Sequence, residues 1–292
     1  MGKFFKALEK AASAGRTGTA SEANSRKLSP QEKVLSSPEE IADSLRLKPT
    51  RDNGATAEQS CRLLPVHELL VSCLPDGDRK VKFAAEQFKM LSSQILFPQG
   101  RPIPRTILVT SAVPGEGKSV VASNLAVSIA AGKQQNVLLM ECDLRRPSLC
   151  QIFGLDNNCT GISEYLQGEE QLSNFLRKTT IDNLTLLPAG RMTKNPYELL
   201  SSKKMRDLVE EVGKRYENRY VILDSTPAQV AAETGVLSKF VDGVVLVIGY
   251  GKSSRELIQN SVEKIGKQKF LGVVFNYSEG NYTKDYYYKY YK

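Results

Sequence analysis

Apolar and polar residues alternate along the chain with two different periods, which predict strands and helices in turn. Short apolar, β-branched runs predict buried strands at Ile107–Thr110, Val137–Met140, Asn183–Pro188, Tyr220–Leu223, Val244–Ile248 and Phe270–Phe275. Apolar residues at helical spacing predict helices at Arg79–Phe97, Val120–Ile129, Lys203–Arg215, Ala231–Phe240 and Ser253–Lys267. This alternation favours an α/β domain with a mostly parallel central sheet and helices on both faces.

The pattern divides the chain into three parts. Residues 1–62 are predicted to be an amphipathic helix (1–15) followed by a mobile linker rich in Ser, Thr, Ala, Glu and Lys. The basic helix fits a membrane surface or a partner helix, and a frayed terminus fits equally well. Residues 63–280 are predicted to be the folded domain, in which Leu63–Leu74 forms a strand or an edge element. Residues 281–292 form a separate tail.

One segment between a predicted strand and a predicted helix carries the pattern of a phosphate-binding loop. It reads Pro114-Gly-Glu-Gly-Lys-Ser119. Its glycines let backbone N–H groups turn inward around phosphate oxygens, and the helix N-terminus adds its dipole. Lys118 is expected to neutralise β- and γ-phosphate charge, and Ser119 to supply a hydroxyl to Mg²⁺. The predicted nucleotide contacts are Gly115, Glu116, Gly117, Lys118, Ser119 and Val120.

Two further strands are followed by the acidic residues that a nucleotide-bound metal needs. Glu141, Asp143, Arg145 and Arg146 follow one strand, and Asp224 ends another. Taken singly, each carboxylate also fits a turn or a helix cap. Because the carboxyl ends of parallel strands meet at one edge of a sheet, these groups are expected beside Lys118. Asp224, Asp143 and Glu141 are the predicted metal ligands. Asp143 is also a candidate proton acceptor, and the arginines are expected to meet phosphate charge.

Composition and charge restrict the classes of partner and the kinds of site that the chain is expected to have. The formal net charge of +8, from 40 basic and 32 acidic residues, fits phosphate ligands and a solvated basic face. No basic block is long enough for a nucleic-acid arm, so no nucleic acid is expected. Five cysteines without a Cys-x-x-Cys pair, and one histidine, argue against a disulfide framework or a zinc site and favour a reducing cytoplasm. No apolar run reaches the roughly 18 residues of a membrane helix, and no signal-peptide core is seen.

The C-terminal tail has no core-forming pattern, but it is rich in tyrosine. Six tyrosines are interleaved with lysines there: Tyr282, Tyr286, Tyr287, Tyr288, Tyr290 and Tyr291. An aromatic-rich adhesive end is one interpretation of this composition. A cluster of phosphorylation substrates is the favoured one, because no Trp or Phe accompanies the tyrosines.

Together, segments 114–119, 138–147 and 221–227 resemble the Walker A, Walker A′ and Walker B motifs of bacterial protein-tyrosine kinases. That family serves capsule and exopolysaccharide systems. The resemblance, which runs from about residue 80 to the C-terminus, implies a P-loop fold, ATP and Mg²⁺, and phosphorylation of tail tyrosines, often in a neighbouring subunit. By the resemblance Lys118 and Ser119 bind phosphate and metal, Asp143 and Asp224 are the Walker A′ and Walker B carboxylates, and Asn276 contacts the adenine.

The chain departs from the family pattern at several positions. Ala112 stands where the first P-loop glycine is usual, and Glu141 where aspartate is usual. Lys89 and Ser92 replace the arginines of a Glu-x-x-Arg-x-x-Arg helix used for ring assembly, which leaves self-association without its usual bidentate contacts. Since no fused membrane helices are found, the resemblance implies a separate membrane-anchored polysaccharide co-polymerase-like adaptor, recruitment to the inner face of the cell membrane, and a tyrosine phosphatase.

Two other functions also fit parts of the sequence. A P-loop ATPase of the septum-positioning or partitioning type would carry a lysine five residues before the main one, where this chain has Val113. Such an ATPase would also have no use for a tyrosine cluster. A regulatory subunit that binds ATP without turnover is kept open by Glu141.

Overall fold

The structure is a computed structural model that describes residues 79–132, 134–155, 159–168, 171–214 and 218–277. Its strands are β1 (Thr106–Ser111), β2 (Asn136–Glu141), β3 (Arg177–Lys178), β4 (Leu184–Leu187), β5 (Arg219–Asp224), β6 (Gly243–Gly249) and β7 (Phe270–Asn276). Its helices are α1 (Arg79–Leu96), α2 (Lys118–Ala130), α3 (Leu149–Ile152), α4 (Ile162–Gln167), α5 (Pro196–Ser201), α6 (Lys203–Lys214), α7 (Glu233–Phe240) and α8 (Arg255–Ile265). The predicted N-terminal helix, linker, edge element at 63–74 and tyrosine tail lie outside the described residues.

The strands form one sheet in the order β3-β4-β2-β5-β1-β6-β7. Every neighbouring pair is parallel except β3 with β4. The predicted mostly parallel sheet is therefore confirmed, and each of the six predicted strands lies within one residue of its expected ends. The short elements β3, α3, α4 and α5 were not predicted, because two to six residues are too few to show a period.

Apolar side chains pack on both faces of the sheet, as expected for strands that are buried on both sides. Ile107 and Val109 of β1 join the core beneath α2, whereas Leu108 of the same strand joins the core beneath α6. Helices therefore cover both faces, which confirms the predicted layer order. No described helix has the length and apolar character needed to cross a membrane.

The order of strands determines where the acidic residues lie. Strand β5 pairs with β1 on one side and with β2 on the other, and Asp224 is in register with both Val109 and Glu141. The carboxyl ends of these three central strands consequently deliver their following residues to one edge of the sheet.

Candidate active site

The phosphate-binding loop joins the carboxyl end of β1 to α2. Gly115 and Gly117 have φ angles of 79° and 87°, which side-chain-bearing residues rarely adopt. Lys118 begins α2 directly after Gly117, so the unpaired N–H groups of the first helical turn border the loop. Ala112 is fully buried. The side chain of Val120 packs against the core. Only its backbone N–H can therefore make the predicted nucleotide contact.

The side chain of Glu116 points into the protein and fastens the loop to the neighbouring strand. Its carboxylate accepts hydrogen bonds from the backbone N–H groups of Val113 and Gly249, both at 2.9 Å, and from Ser253 Oγ at 2.7 Å. Only 1 % of the residue is exposed. The side chain is therefore not available to a nucleotide, and only the backbone can make the contact predicted for Glu116.

Replacing Glu116 with alanine should lower the free energy of unfolding by about 2–4 kcal/mol, because three buried donors lose their acceptor. Urea unfolding measures this change. The variant Glu116→Gln keeps one carbonyl acceptor in the same place and should lose clearly less. Equal stability of the alanine variant and the unchanged protein would show that the loop does not depend on this carboxylate.

The Lys118 ammonium lies between the two predicted carboxylates. Its Nζ is 2.9 Å from Asp143 Oδ2 and 3.9 Å from Asp224 Oδ1, and it donates to Ser119 Oγ at 3.2 Å. Burial alone would lower the pKa of Lys118, but the charges of Asp224 and Asp143 outweigh burial and raise it. The structure thus brings together Lys118, Ser119, Asp143 and Asp224, as the sequence predicts.

Asp224 is a buried carboxylate whose nearest cation is the Lys118 ammonium. Both its oxygens are buried, and neither has a hydrogen-bond partner among the described residues. Burial raises the pKa of Asp224, against Lys118 and the nearby Ser119 hydroxyl, which lower it. Mg²⁺ typically binds through one or two carboxylates together with water and phosphate oxygens, so Asp224 and the Ser119 hydroxyl fit that ion. Within the described ranges, no group of three His, Cys, Asp or Glu side chains is placed to hold a metal ion by itself.

The structure does not support Glu141 as a metal ligand. Its carboxylate accepts hydrogen bonds from the backbone N–H groups of Ser148 and Leu149 on one oxygen, the latter at 2.7 Å, and from Ala189 N–H on the other, at 3.2 Å. The glutamate side chain, which is longer than the usual aspartate, thereby caps α3 and connects it to the loop after β4. Glu141 organises the segment that carries Asp143, and the predicted metal shell is reduced to Ser119, Asp143 and Asp224.

Glu141 should also make stability depend on pH. Burial raises its pKa to about 7, against the three backbone N–H donors, which lower it. The folded protein then binds more protons than the unfolded chain between about pH 4.5 and 7, so the free energy of unfolding falls as pH rises through that window, by roughly 3 kcal/mol. In denaturant unfolding between these pH values, the free energy of unfolding of Glu141→Gln should decline less steeply with pH. The surface variant Glu210→Gln should show the same decline with pH as the unchanged protein. A decline of the same slope in Glu141→Gln would assign the pH dependence to other groups.

Arg145 is likewise not where the sequence suggests. Its guanidinium donates twice to Glu233 Oε1, from Nε at 3.0 Å and from Nη2 at 2.8 Å, and Glu233 is almost fully buried at the start of α7. Arg145 therefore joins the Walker A′ segment to α7, and its predicted catalytic role is not supported. Arg146 contributes through its backbone N–H, which donates to Asp143 Oδ1 at 3.0 Å and so orients that carboxylate.

Comparison with known proteins agrees with this geometry. A family model described as an AAA domain matches residues 104–269. Tyrosine-protein kinase YwqD of Bacillus subtilis is 34% identical over 194 residues, which are 66% of this chain and 80% of YwqD. Tyrosine-protein kinase CpsD of Streptococcus pneumoniae is 32% identical over 199 residues, which are 67% of this chain and 85% of CpsD. This chain belongs to the bacterial tyrosine-protein kinase family. The crystal structure of the chimerical protein CapA2B2 superimposes with a TM-score of 0.64 at 29% identity, over 74% of the kinase described here and 96% of that chain.

Three residues of this kinase cover the outer side of the P-loop, and two of them were not predicted. The Asn276 side-chain amide donates to Glu116 O at 2.9 Å, and Lys252 Nζ donates to Gly115 O at 2.8 Å. A Cβ added to Gly117 would meet the side-chain amide of Asn276 and would lie 3.0 Å from Tyr277 Oη. Together with the φ angle of 87°, this contact favours glycine at position 117. Asn276 lies beside the loop, and its contact with the adenine stays a prediction.

Tyr277 has an unusual backbone conformation for an aromatic residue. Its φ angle is 60°, in the left-handed region that a side chain disfavours. Its N–H donates to Asn276 Oδ1 at 3.0 Å, and Lys252 Nζ lies 4.9 Å from the ring centroid. The residue is 53% exposed. The position of Tyr277, directly after Asn276 at the end of β7, is the one sequence signal that could have pointed to it.

Proposed function

We propose that this protein is an ATP-dependent tyrosine autokinase that phosphorylates the tyrosines of its C-terminal tail and regulates exopolysaccharide or capsule synthesis or export. The observation that carries the proposal is the Lys118 ammonium, held between Asp143 and Asp224 at the P-loop. The names of the relatives support tyrosine as the acceptor. The proposed acceptors are Tyr282, Tyr286, Tyr287, Tyr288, Tyr290 and Tyr291.

The chain's own groups divide the work of phosphoryl transfer. The N–H groups of residues 115–120 would hold the phosphates, and Lys118 would turn from its carboxylates toward the phosphate oxygens. Asp224 and Ser119 would hold Mg²⁺. That ion, when bound, supplies positive charge that screens the phosphates from the attacking oxygen.

Asp143 is proposed to take the proton of the attacking tyrosine. One of its oxygens accepts the Arg146 N–H and the other faces Lys118. When Lys118 moves to the phosphates, the second oxygen becomes free for a tyrosine hydroxyl, while the first keeps the carboxylate in place. A fixed base within hydrogen-bond reach of the nucleophile is the usual requirement for this step.

Tyr277 should contribute to nucleotide affinity through its ring. One ring face is near the Lys252 ammonium, and more than half of the residue is exposed beside the P-loop, so the ring can stack on the adenine that Asn276 is expected to contact. Stacking of a base on an aromatic side chain is substantial, so Tyr277→Ala should weaken binding of a fluorescent ATP analogue by about tenfold. Tyr277→Phe keeps the ring and should bind like the unchanged protein. Equal affinity of the alanine variant would exclude a stacking role.

Self-association is proposed to bring a tail to a neighbour's site, but not through Ser92. That residue is 6% exposed and shares a hydrogen bond with Ser128 Oγ of α2 at 3.1 Å. Ser92 therefore belongs to the packing of α1 on α2. Lys89 is exposed on α1 and pairs with Glu86 at 3.2 Å.

The regulatory partners follow from the family resemblance and from the charge of the tail. A membrane-anchored adaptor is proposed to recruit and activate the kinase at the inner face of the cell membrane, and a tyrosine phosphatase is proposed to remove the phosphates.

Phosphorylation should change the charge of the tail. Each phosphorylation adds about −1.5 to −2 charges, so several would turn the basic tail acidic. We expect this change to loosen contacts between subunits, which light scattering of phosphorylated and unphosphorylated protein would show.

The proposed function is tested by mapping phosphate on the purified protein after incubation with ATP and Mg²⁺. Mass spectrometry should find phosphotyrosine within residues 282–291. A variant with all six tail tyrosines changed to phenylalanine should bind ATP unchanged but incorporate no phosphate. Steady phosphate release at equal rates in both proteins, without tyrosine modification, would instead identify an ATPase.

A further inference from the structure

Two thiols touch each other next to the Walker A′ segment. The Sγ atoms of Cys150 and Cys159 lie within hydrogen-bond distance of each other. Cys150 is buried within the short helix α3, whereas Cys159 is partly exposed. An accessible thiol in contact with a buried second thiol is the arrangement in which one sulfur meets an oxidant and the other completes a disulfide.

The surroundings of Cys159 favour its thiolate. Hydrogen bonding from the Cys150 thiol lowers the pKa of Cys159, burial opposes this, and the Arg177 guanidinium lowers it further. Arg177 is fixed nearby, since its Nη2 donates to Thr160 Oγ1 at 3.2 Å. The thiolate is the form that reacts with oxidants.

The remaining described cysteine has the opposite environment. Cys142 is fully buried directly after β2. It lies in the same part of the sheet edge but should stay unreactive. Cys142 is therefore an internal control for the reactivity of Cys150 and Cys159.

We propose that Cys150 and Cys159 form a reversible oxidation site, which a hydroperoxide closes into an intramolecular disulfide. The Cys159 thiolate attacks one peroxide oxygen and becomes a sulfenic acid, and the second oxygen leaves as water or an alcohol. The Cys150 sulfur then attacks the sulfenic sulfur, forming the S–S bond and releasing water. Two thiols lose two electrons and two protons, the peroxide gains both, and a dithiol reductant reverses the change.

Closure should restrain the Walker A′ segment without distorting it. Glu141 already holds the N-terminus of α3 through Ser148 and Leu149, and a disulfide would hold the same helix through Cys150. Because the two cysteines are already neighbours, closure should need only side-chain movement. The oxidised protein should therefore melt about 3–8 °C higher than the reduced one, and its nucleotide affinity should change by less than about twofold, which is about 0.4 kcal/mol.

Peptide mapping of the full chain after treatment with hydrogen peroxide tests the site. Cleavage after Arg145 and Arg177 leaves both cysteines on one peptide. We expect that peptide to lose two hydrogens and to resist alkylation, while Cys142, exposed by denaturation, is still alkylated. Dithiothreitol should restore alkylation of both cysteines. Two alkylated thiols in this peptide after peroxide treatment, or oxidation of Cys142 at the same rate, would overturn the proposal.

Single variants separate the two roles. In Cys150→Ser, Cys159 should remain as a sulfenic acid that dimedone traps, and the thermal shift should vanish. In Cys159→Ser, Cys150 should stay fully reduced. Arg177→Gln should slow closure by about threefold or more, since less thiolate is present. Dimedone trapping on Cys150 rather than Cys159 would reverse the assigned roles and so contradict the proposal.

Discussion

Lys118→Met should abolish tail phosphorylation, with a loss of about a thousandfold or more. The ammonium is the cation of the P-loop, and loss of a positioned group that stabilises transition-state charge costs factors of this size. Quantitative phosphotyrosine mass spectrometry of the variant against the unchanged protein measures the effect. Methionine keeps the length of the side chain, so packing around α2 should survive.

A surface lysine provides the matched control for that loss. Lys214 carries the same charge at the end of α6, where its side chain is 79% exposed and pairs with Glu210. Lys214→Met should phosphorylate its tail like the unchanged protein. Tail phosphorylation that persists in Lys118→Met, in protein purified from cells without another tyrosine kinase, would remove Lys118 from the mechanism.

Asp224→Asn should lower activity without lowering stability. We expect phosphoryl transfer to fall by about a hundredfold or more, because the buried ligand for Mg²⁺ loses its charge. The free energy of unfolding of the nucleotide-free protein should rise at neutral pH. Burial raises the pKa of Asp224 despite Lys118, so ionisation of this group is less favourable in the folded state than in the unfolded chain.

The sign of the stability change depends on pH. A carboxyl with a raised folded pKa contributes stability that is present below its ordinary value of 3.8 and is lost as pH rises above it. The advantage of Asp224→Asn should therefore be visible at pH 7 and disappear at acid pH. Urea unfolding at the two pH values measures it, with the exposed variant Asp207→Asn as control. A large destabilisation of Asp224→Asn at pH 7 would assign Asp224 a structural role.

The strands and the P-loop could be predicted because their signals are local. Ile107–Thr110 and the glycines that follow it combine a buried strand, a turn and a helix start within a few residues, and the parallel sheet then requires Asp143 and Asp224 to lie at the same edge. These features need no knowledge of distant partners.

The roles of Glu141 and Arg145 could not be predicted because their partners are distant or unmarked. Arg145 binds Glu233, 88 positions away, and nothing near either residue indicates that pairing. Glu141 binds the N-terminus of a four-residue helix that has no sequence period. In both cases the sequence predicts a metal-binding or catalytic role for a charged side chain. In the structure, that side chain instead organises the segment that carries Asp143.

The residues that cover the P-loop were missed for a related reason. Glu116 reads as part of the nucleotide motif, yet its carboxylate serves the neighbouring strand β6 through Gly249. Lys252 and Tyr277 reach the loop from the ends of β6 and β7, which become neighbours of the loop only in the folded sheet.

A crystal structure of the protein with Mg²⁺ and a non-hydrolysable ATP analogue tests the central claim most directly. We predict the triphosphate on the N–H groups of the loop, Lys118 Nζ on its phosphate oxygens, and the metal within direct or single-water reach of Ser119 Oγ and the Asp224 carboxylate. A metal bound away from Asp224, or a Lys118 that still contacts only Asp143 and Asp224 when nucleotide is bound, would contradict it.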